Sequence, residues 1–411
     1  MDENRETNIR IERTVWKIEM KRVLILNISH NELRMINALK ELGYYVIGTG
    51  GVPGLIGEKY VDEYIRADYS DKELMLQLAI DKKVDAVCAC CNDFGVLSAA
   101  WVAEKLGLPG HDSYENAMIL HHKDLFKKFA RKNGIQTPLA VYFDNIPEAK
   151  MWLGKAIYPI IIKPVDLTGG KGVHRADNFS EAVKAIEDAF VLSRAKHIVI
   201  EPFIEGTQHA ICTFLRNQKV IAVGSNNEYS FENPYKVEID TYPADNIYSV
   251  QSFLVSQIEK MAHILHLNDG IFHMQYRMRD DQPWIIEPMR RVLGNLYGIP
   301  CEGLNNLNWD MWQAKVYCGD DLSDFPNNVS QSGYWAYRTV MCRQNGLVKG
   351  IHVDESIKRY IFDEFMTWKK GDIIENHLSE SLGFYFMKFD SKEEMDHIML
   401  DRYDDIYAIM E

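Results

Sequence analysis

No apolar run in this sequence of 411 residues approaches the roughly 18–20 needed to span a bilayer, so no membrane-crossing helix is expected. The first twenty residues, with Asp2, Glu3, Arg5, Glu6, Arg10, Glu12 and Arg13, lack the apolar core of a secretion signal. They read as a tail, residues 1–20, with Trp16 and Ile18 as candidates for packing on the domain. Positive charge is also scarce: 46 Lys and Arg face 59 Asp and Glu, a formal charge of −13. That balance argues against nucleic acid or an anionic membrane as partner. Any phosphate must therefore be held by local lysines, arginines, backbone donors and metal. The seven cysteines are odd in number and show no paired-ligand spacing. Cys88, Cys90 and Cys91 alternate like a buried strand end; the alternative, a metal cluster, has no His pair beside it. Free thiols fit a reducing, cytoplasmic setting. There is no internal repeat and no low-complexity tract.

Two nucleotide-binding signatures are missing as well. G-x-x-x-x-G-K-[ST] is absent. Gly48-Thr49-Gly50-Gly51 lacks the G-x-G-x-x-G pattern and reads as a turn. What stands in their place is residues 158–173, Tyr-Pro-Ile-Ile-Ile-Lys-Pro-Val-Asp-Leu-Thr-Gly-Gly-Lys-Gly-Val. The β-branched Ile160–Ile162 run predicts a buried strand that delivers Lys163, and Pro164 ends its ladder. Gly169, Gly170 and Gly172 let the backbone approach a ligand closely, with N–H groups free to cradle an anion. A cation beside such a loop suits a polyphosphate; an ordinary hairpin is the other reading.

A chain of this length can bury a sizeable core in two to three domains. Strands at 22–28, 44–47 and 86–89 alternate with helices at about 31–43, 74–80 and 95–106, which predicts a parallel, Rossmann-like α/β unit over 21–118. A basic helix follows at 121–133. Strands near 139–143, 159–163, 198–201, 209–216 and 219–223 come next, with helices at 180–192 and about 249–266. Strands at 270–278 and 284–287 precede a Gly/Pro-rich stretch, Gly294 to Gly303. Short strands at 334–340, 352–353, 360–362 and 384–388 and a helix at 391–400 close the chain.

The downstream pair, Gly270–Met278 and Trp284–Arg291 joined by Asp280-Asp281-Gln282-Pro283, predicts an antiparallel hairpin. Gln275 and Glu287 then share its inward face as two hard oxygen ligands of the kind Mg²⁺ takes. The competing reading of Glu287 is a salt bridge to Arg290 or Arg291. Arg291 is placed to neutralise an acyl phosphate or a transferring phosphoryl group. Between the two halves, Ile198–His209 is an apolar strand running into a reversal at Glu205-Gly206. Extended backbone there can offer the Pro202 carbonyl and the Ile204 N–H to an adenine edge. Glu201 is either part of that hinge or a solvated strand-end carboxylate.

The order of these segments resembles the ATP-grasp superfamily of carboxylate–amine (or –thiol) ligases over about 22–320. Residues 326–411 look like the small C-terminal α/β subdomain of its amino-acid ligase branch. The resemblance implies an α/β fold: a Rossmann-like N-terminal domain, then an ATP-grasp domain at 119–325 with lobes at about 119–200 and 201–325. By that likeness Lys123 and Lys163 bind phosphates, and the loop carrying Gly169, Gly170, Lys171 and Gly172 folds over them. Glu201, Pro202 and Ile204 form the adenine hinge, Gln208 meets the ribose, and Gln275 and Glu287 hold Mg²⁺ (or Mn²⁺). Arg291 closes the Glu-x-Asn-x-Arg signature. Gln at the first metal position resembles carbamoyl-phosphate-synthetase-like members. Two positions depart from the pattern: Met289 replaces the asparagine, a poor ligand for hard Mg²⁺, and Gln208 replaces an acid.

The likeness implies ATP-dependent activation of a small carboxylate, such as an amino acid, as an acyl phosphate that an amine then attacks. His273, Arg290, Asn295, Tyr297 and the loop Gly298–Gly303 are expected at the acceptor site, or else are simple packing residues. A bicarbonate-dependent carboxylase of a free small molecule is a second reading, since no biotin-linked Met-Lys-Met segment is present. A nucleotide-binding module without turnover is a third. A homodimer is expected by the same likeness.

Overall fold

The computed structural model describes residues 20–411, so the expected tail, including Trp16 and Ile18, lies outside the described residues save Met20. Near the N-terminus, β1 (Arg22–Ile25), β2 (Tyr45–Gly50), β3 (Glu63–Arg66) and β4 (Ala86–Cys88) form a parallel sheet in the order β3-β2-β1-β4. Helices α1 (Leu33–Glu41), α2 (Lys72–Lys82) and α3 (Asp93–Leu106) alternate with the strands. Asn92 caps α3 by accepting from the Phe94 N–H at 3.0 Å, and Gly107 ends it at φ 66°. The Gly48–Gly51 segment is not a turn throughout: Gly48, Thr49 and Gly50 belong to β2 and are buried. A Cβ on Gly48 would lie 2.7 Å from Ile28, so the glycine allows a close approach inside the sheet.

Two helices, α4 (Tyr114–His121) and α5 (Lys123–Lys132), lead to an antiparallel four-stranded lobe. It comprises β5 (Val141–Phe143), β6 (Ile160–Pro164), β7 (His174–Ala176) and β8 (Ile198–Pro202), ordered β5-β8-β6-β7. Helices α6 (Ile146–Trp152) and α7 (Phe179–Leu192) cover it; Ala182, Ala185, Ile186 and Ala189 of α7 pack on Ile160, Ile162, Ile198 and Ile200.

The second lobe is built on β9 (Thr207–Arg216), β10 (Lys219–Tyr229), β11 (Ile239–Tyr242), β12 (Gly270–Arg279) and β13 (Gln282–Met289). Helix α8 (Ile247–Ile264) packs through Val250, Leu254 and Ile258 against Ile211, Phe272, Met274 and Tyr276. The opposite face changes character along its length. Phe214 and Ile271 enter the core shared with the N-terminal sheet, whereas Gln208, Gln275 and Arg277 face a cavity. Period-two alternation puts all five on the face turned away from α8.

After α9 (Gly298–Asn305) and α10 (Trp309–Cys318) come β14 (Tyr334–Met341), β15 (Gly346–Val353), β16 (Ile361–Met366), β17 (Ile373–Ile374), β18 (Ser381–Phe389), α11 (Lys392–Asp396) and β19 (Ile406–Met410). The sheet runs straight across residue 325: β11 pairs with β14, giving eight strands ordered β13-β12-β9-β10-β11-β14-β18-β16. The stretch expected as a Gly/Pro loop over Gly298–Gly303 is helical, because Tyr297, Cys301 and Leu304 bury one face of the turn. No helix among the described residues is long and apolar enough to cross a membrane.

Candidate active site

Between the two lobes lies a cavity of about 550 Å³, within the usual range for small-molecule sites. Its upper wall comes from α5, β6, the glycine loop and β8. Lys123 opens α5; its Nζ donates to the Leu167 carbonyl at 2.7 Å and lies 3.2 Å from Glu287 Oε2. Burial alone would lower the Lys123 pKa, but Glu287, with Asp93 and Glu201, outweighs it and the ammonium is held above its ordinary value. The Glu287 ion pair is thus made with Lys123, not with Arg290 or Arg291. Lys163 on β6 pairs with Glu201 on β8, and Glu201 also meets Lys127 at 3.0 Å. Glu201 is only 1% exposed, so the solvated strand-end reading is overturned. Burial would raise its pKa; Lys127 and Lys163 together hold it down at about 2.

Gly169 and Gly170 line the cavity at φ 64° and 74°. A Cβ on Gly170 would sit 2.2 Å from the Tyr235 carbonyl oxygen, so the loop touches the second lobe through bare backbone. Lys171 is exposed and Gly172 packs on Pro164; neither lines the cavity. Pro202 and Ile204 do line it, as does Phe203 between them.

The lower wall is the hairpin of β12 and β13. Gln275 and Glu287 are direct cross-strand partners, and the pairing then skips Ile286, so a bulge sits at the expected metal position. The connecting turn is tighter than expected: Asp280 and Asp281, at φ 50° and 58°, form a two-residue link and β13 already begins at Gln282. Gln275 Nε2 donates to both Glu228 oxygens, at 2.9 and 2.8 Å, and Gln208 Nε2 donates to Glu228 Oε2 at 2.6 Å. Arg277 binds the Ile204 carbonyl at 2.6 Å, the Gly206 carbonyl at 2.5 Å and Gln208 Oε1 at 3.2 Å, which ties the hinge to the hairpin. Two oxygen donors, Gln275 and Glu287, suit a hard cation, whereas the thioether of Met289 does not. Among the described residues no three His, Cys, Asp or Glu side chains form a ready-made metal cage.

At the far end stand His273, Met289, Arg291, Asn295 and Tyr297, joined by Asn31 and Cys91 from the N-terminal domain. Arg291 donates to Asp93 at 2.7 Å and its Nη2 lies 3.2 Å from the Met289 sulfur. Asp93, partly buried, is held well below the usual carboxylate range by Arg291 and His121. Burial pushes His273 down to about 3, so its ring is neutral at pH 7. Asn295 is left-handed (φ 50°), and its N–H donates to Asn31 Oδ1 at 2.6 Å.

Arg290 is the expected site residue that the structure turns away. Its guanidinium binds Asp112 at 2.8 Å and the carbonyls of Ile271 and Asn268 at 2.6 and 2.8 Å, and it does not line the cavity. Lys127, Glu228, Arg277 and Asp93 were not singled out from sequence. Lys127 follows Lys123 by one helical turn and Arg277 follows Gln275 by one strand period, so both were within reach of periodicity. Glu228 was hidden because the polar Ser225-Asn-Asn end of β10 does not look like strand.

Residues 121–232 match the family described as phosphoribosylglycinamide synthetase, ATP-grasp (A) domain. A phosphoribosylamine–glycine ligase of Helicobacter pylori is 30% identical over 189 residues, 45% of this chain and 40% of that protein. The chain thus spans well under half the length of this curated relative. The L-amino acid ligase structure from Bacillus licheniformis superposes with a TM-score of 0.81 at 20% identity, covering 95% of this chain and 99% of that one. Phosphoribosylglycinamide synthetase from Anaerococcus prevotii gives 0.74 at 21% identity, over 96% and 100%. The fold is therefore the α/β ATP-grasp fold.

Proposed function

We propose that this ATP-grasp protein is an ATP-dependent ligase that activates a small carboxylate, an amino acid in the leading version, and joins it to an amine. One observation carries the reading: Lys123, Lys163, Gln275 and Glu287, up to 164 residues apart in sequence, line a single cavity closed on one side by a glycine loop. In this reading Lys123 and Lys163 neutralise the phosphates, and Pro202 and Ile204 present backbone to the adenine. Gln275 and Glu287 would hold magnesium, which when bound supplies charge neutralisation of the triphosphate. The substrate carboxylate attacks the γ-phosphorus, ADP leaves, and Arg291 faces the acyl phosphate. The amine then attacks the carbonyl carbon and phosphate departs. Apposed lobes keep water from the anhydride.

His273, Asn295 and Tyr297 are assigned to the acceptor wall, and Arg291 takes over the carboxylate-binding role expected of Arg290. The test is ADP release in a screen of paired amino acids. Release that needs both a carboxylate and an amine supports the ligase. Dependence on bicarbonate would replace it with a carboxylase, and tight ATP binding without ADP formation would leave a module without turnover. A cytoplasmic homodimer is part of the same proposal; a solution mass near 47.5 kDa would refute the dimer.

A further inference from the structure

We infer that Glu228 is a positioning residue that decides which end of the Gln275 amide is presented to the metal position. The inference rests on the ligase reading above. A glutamine is an ambivalent ligand: its oxygen can bind a cation and its NH₂ group cannot, and the two ends have nearly the same shape. Some neighbour must hold the amide one way round. Glu228 does so because both of its oxygens accept from amide NH₂ groups, those of Gln275 and Gln208. With both Glu228 oxygens 2.8–2.9 Å from Gln275 Nε2, the nitrogen is fixed on Glu228 and Oε1 is left for other partners.

The same carboxylate orients a second amide. Gln208 Nε2 donates to Glu228 Oε2 at 2.6 Å while Gln208 Oε1 accepts from Arg277 at 3.2 Å, so that side chain has no freedom to turn over. Register makes the arrangement possible. Gln208 lies opposite both Glu228 on β10 and Arg277 on β12, and Gln275 lies opposite Glu287, all on the cavity face. Glu228 is 7% exposed. A glutamine in its place would fill the same volume and hydrogen-bond as well, but would let Gln275 present either end. Orientation matters more here than in a site with three ligands, because the thioether of Met289 supplies no hard third donor. Outer partners that orient metal ligands typically carry a 10–100-fold effect on affinity.

The experiment uses the full chain with Mn²⁺ as the probe, its free fraction read by electron paramagnetic resonance in the presence of ADP. Glu228→Gln should weaken Mn²⁺ binding about tenfold, with ADP binding in the absence of metal unchanged. Adding Gln275→Glu should restore it, since a carboxylate presents oxygen whichever way it turns. Glu228→Asp, which keeps two oxygens and no NH₂ group, should retain more affinity than Glu228→Gln, and it reports even where the glutamine variant fails to fold. Wild-type affinity in Glu228→Gln overturns the inference. So does a double variant that is not rescued, which would make Glu228 a ligand itself, and so does the reverse order of the Asp and Gln variants. Wild-type protein that binds neither Mn²⁺ nor ADP would overturn the ligase reading instead, a result distinct from all of these.

Discussion

Lys127 illustrates how much one buried charge can govern. Its ammonium is 3% exposed, shares Glu201 with Lys163, and is pushed down to about 8 by burial, with Glu201 opposing and Lys163 reinforcing the shift. One carboxylate between two ammoniums leaves a net positive charge beside the place proposed for the phosphates below that pH. Two consequences follow from the sign of the shift. The folded chain releases this proton before the unfolded one, whose lysine sits at 10.5, so the destabilising burial is fully present below about pH 8 and is relieved toward pH 10.5. Nucleotide affinity should do the reverse, falling above about pH 8 as the site loses its surplus charge. Calorimetric titration of ADP from pH 7 to 9.5 checks this, and Lys127→Met should abolish the pH dependence; a fall that persists in that variant removes Lys127 as its cause. Lys163→Ala and Glu287→Ala should each abolish ADP formation with the circular dichroism spectrum unchanged. Near-normal turnover in either would mean the site is elsewhere. Met289→Asn should leave Mg²⁺ affinity equal or raise it, since an amide oxygen replaces a thioether beside Glu287; a marked loss would show that the sulfur contact with Arg291 is needed for packing.

Among the elements, the glycine loop and the β12–β13 hairpin carry the site in different ways. The hairpin is rigid: a two-residue turn sets its register, alternation puts His273, Gln275 and Arg277 on one face, and the bulge at Ile286 re-aims Glu287. The loop meets the second lobe through bare backbone at Gly170. Gly170 has φ 74° and its α-carbon abuts the Tyr235 carbonyl, while the Tyr235 hydroxyl accepts from the Arg175 N–H at 2.6 Å. Alanine at 170 pays a left-handed penalty of about 1–2 kcal/mol and meets that carbonyl besides. Gly170→Ala should therefore raise the KM for ATP by about tenfold or more while the melting temperature hardly moves, because the loop adds little to the core. An unchanged KM would mean the loop does not close on the nucleotide.

At the scale of the molecule, the N-terminal domain is a structural partner of the cavity rather than a neighbour of it. Asp93 at the start of α3 holds Arg291, Asn31 and Cys91 line the far end, and Asp112 receives Arg290. The sheet that forms the cavity floor extends through β11 and β14 into the last eighty residues, where Tyr403 donates to Glu238 at 2.8 Å. Glu238 in turn accepts the backbone N–H groups of Phe231, Glu232 and Asn233, the root of the loop that reaches Tyr235. Arg290→Ala should destabilise the protein by roughly 3–5 kcal/mol, the usual cost of leaving one half of a buried pair behind. The measurement is denaturant unfolding, and a change below about 1 kcal/mol would show the Asp112 contact to be dispensable.

Periodicity and local chemistry were enough to place most of the long elements. The Ile160–Ile162 run, the α7 helix and the hairpin that sets Gln275 opposite Glu287 were legible because alternation, capping residues and turn residues are properties of neighbouring positions. So was the glycine loop, since its φ values admit little else. Short segments such as β3, β7 and β11 were not, because three or four residues carry too few apolar positions to show a period. Charge partners were the least visible. Glu201 read as an adenine-hinge residue or a solvated carboxylate, and Arg290 as an acceptor-site or packing residue, yet burial gave the first two lysines and the second an aspartate 178 residues away. The sequence by itself determined which groups could do chemistry and on which face of which element they stand. Tertiary structure alone decided which ammonium meets which carboxylate, because ion pairing depends on distance in space and on the water excluded around the pair, and neither is written in the spacing of residues along the chain.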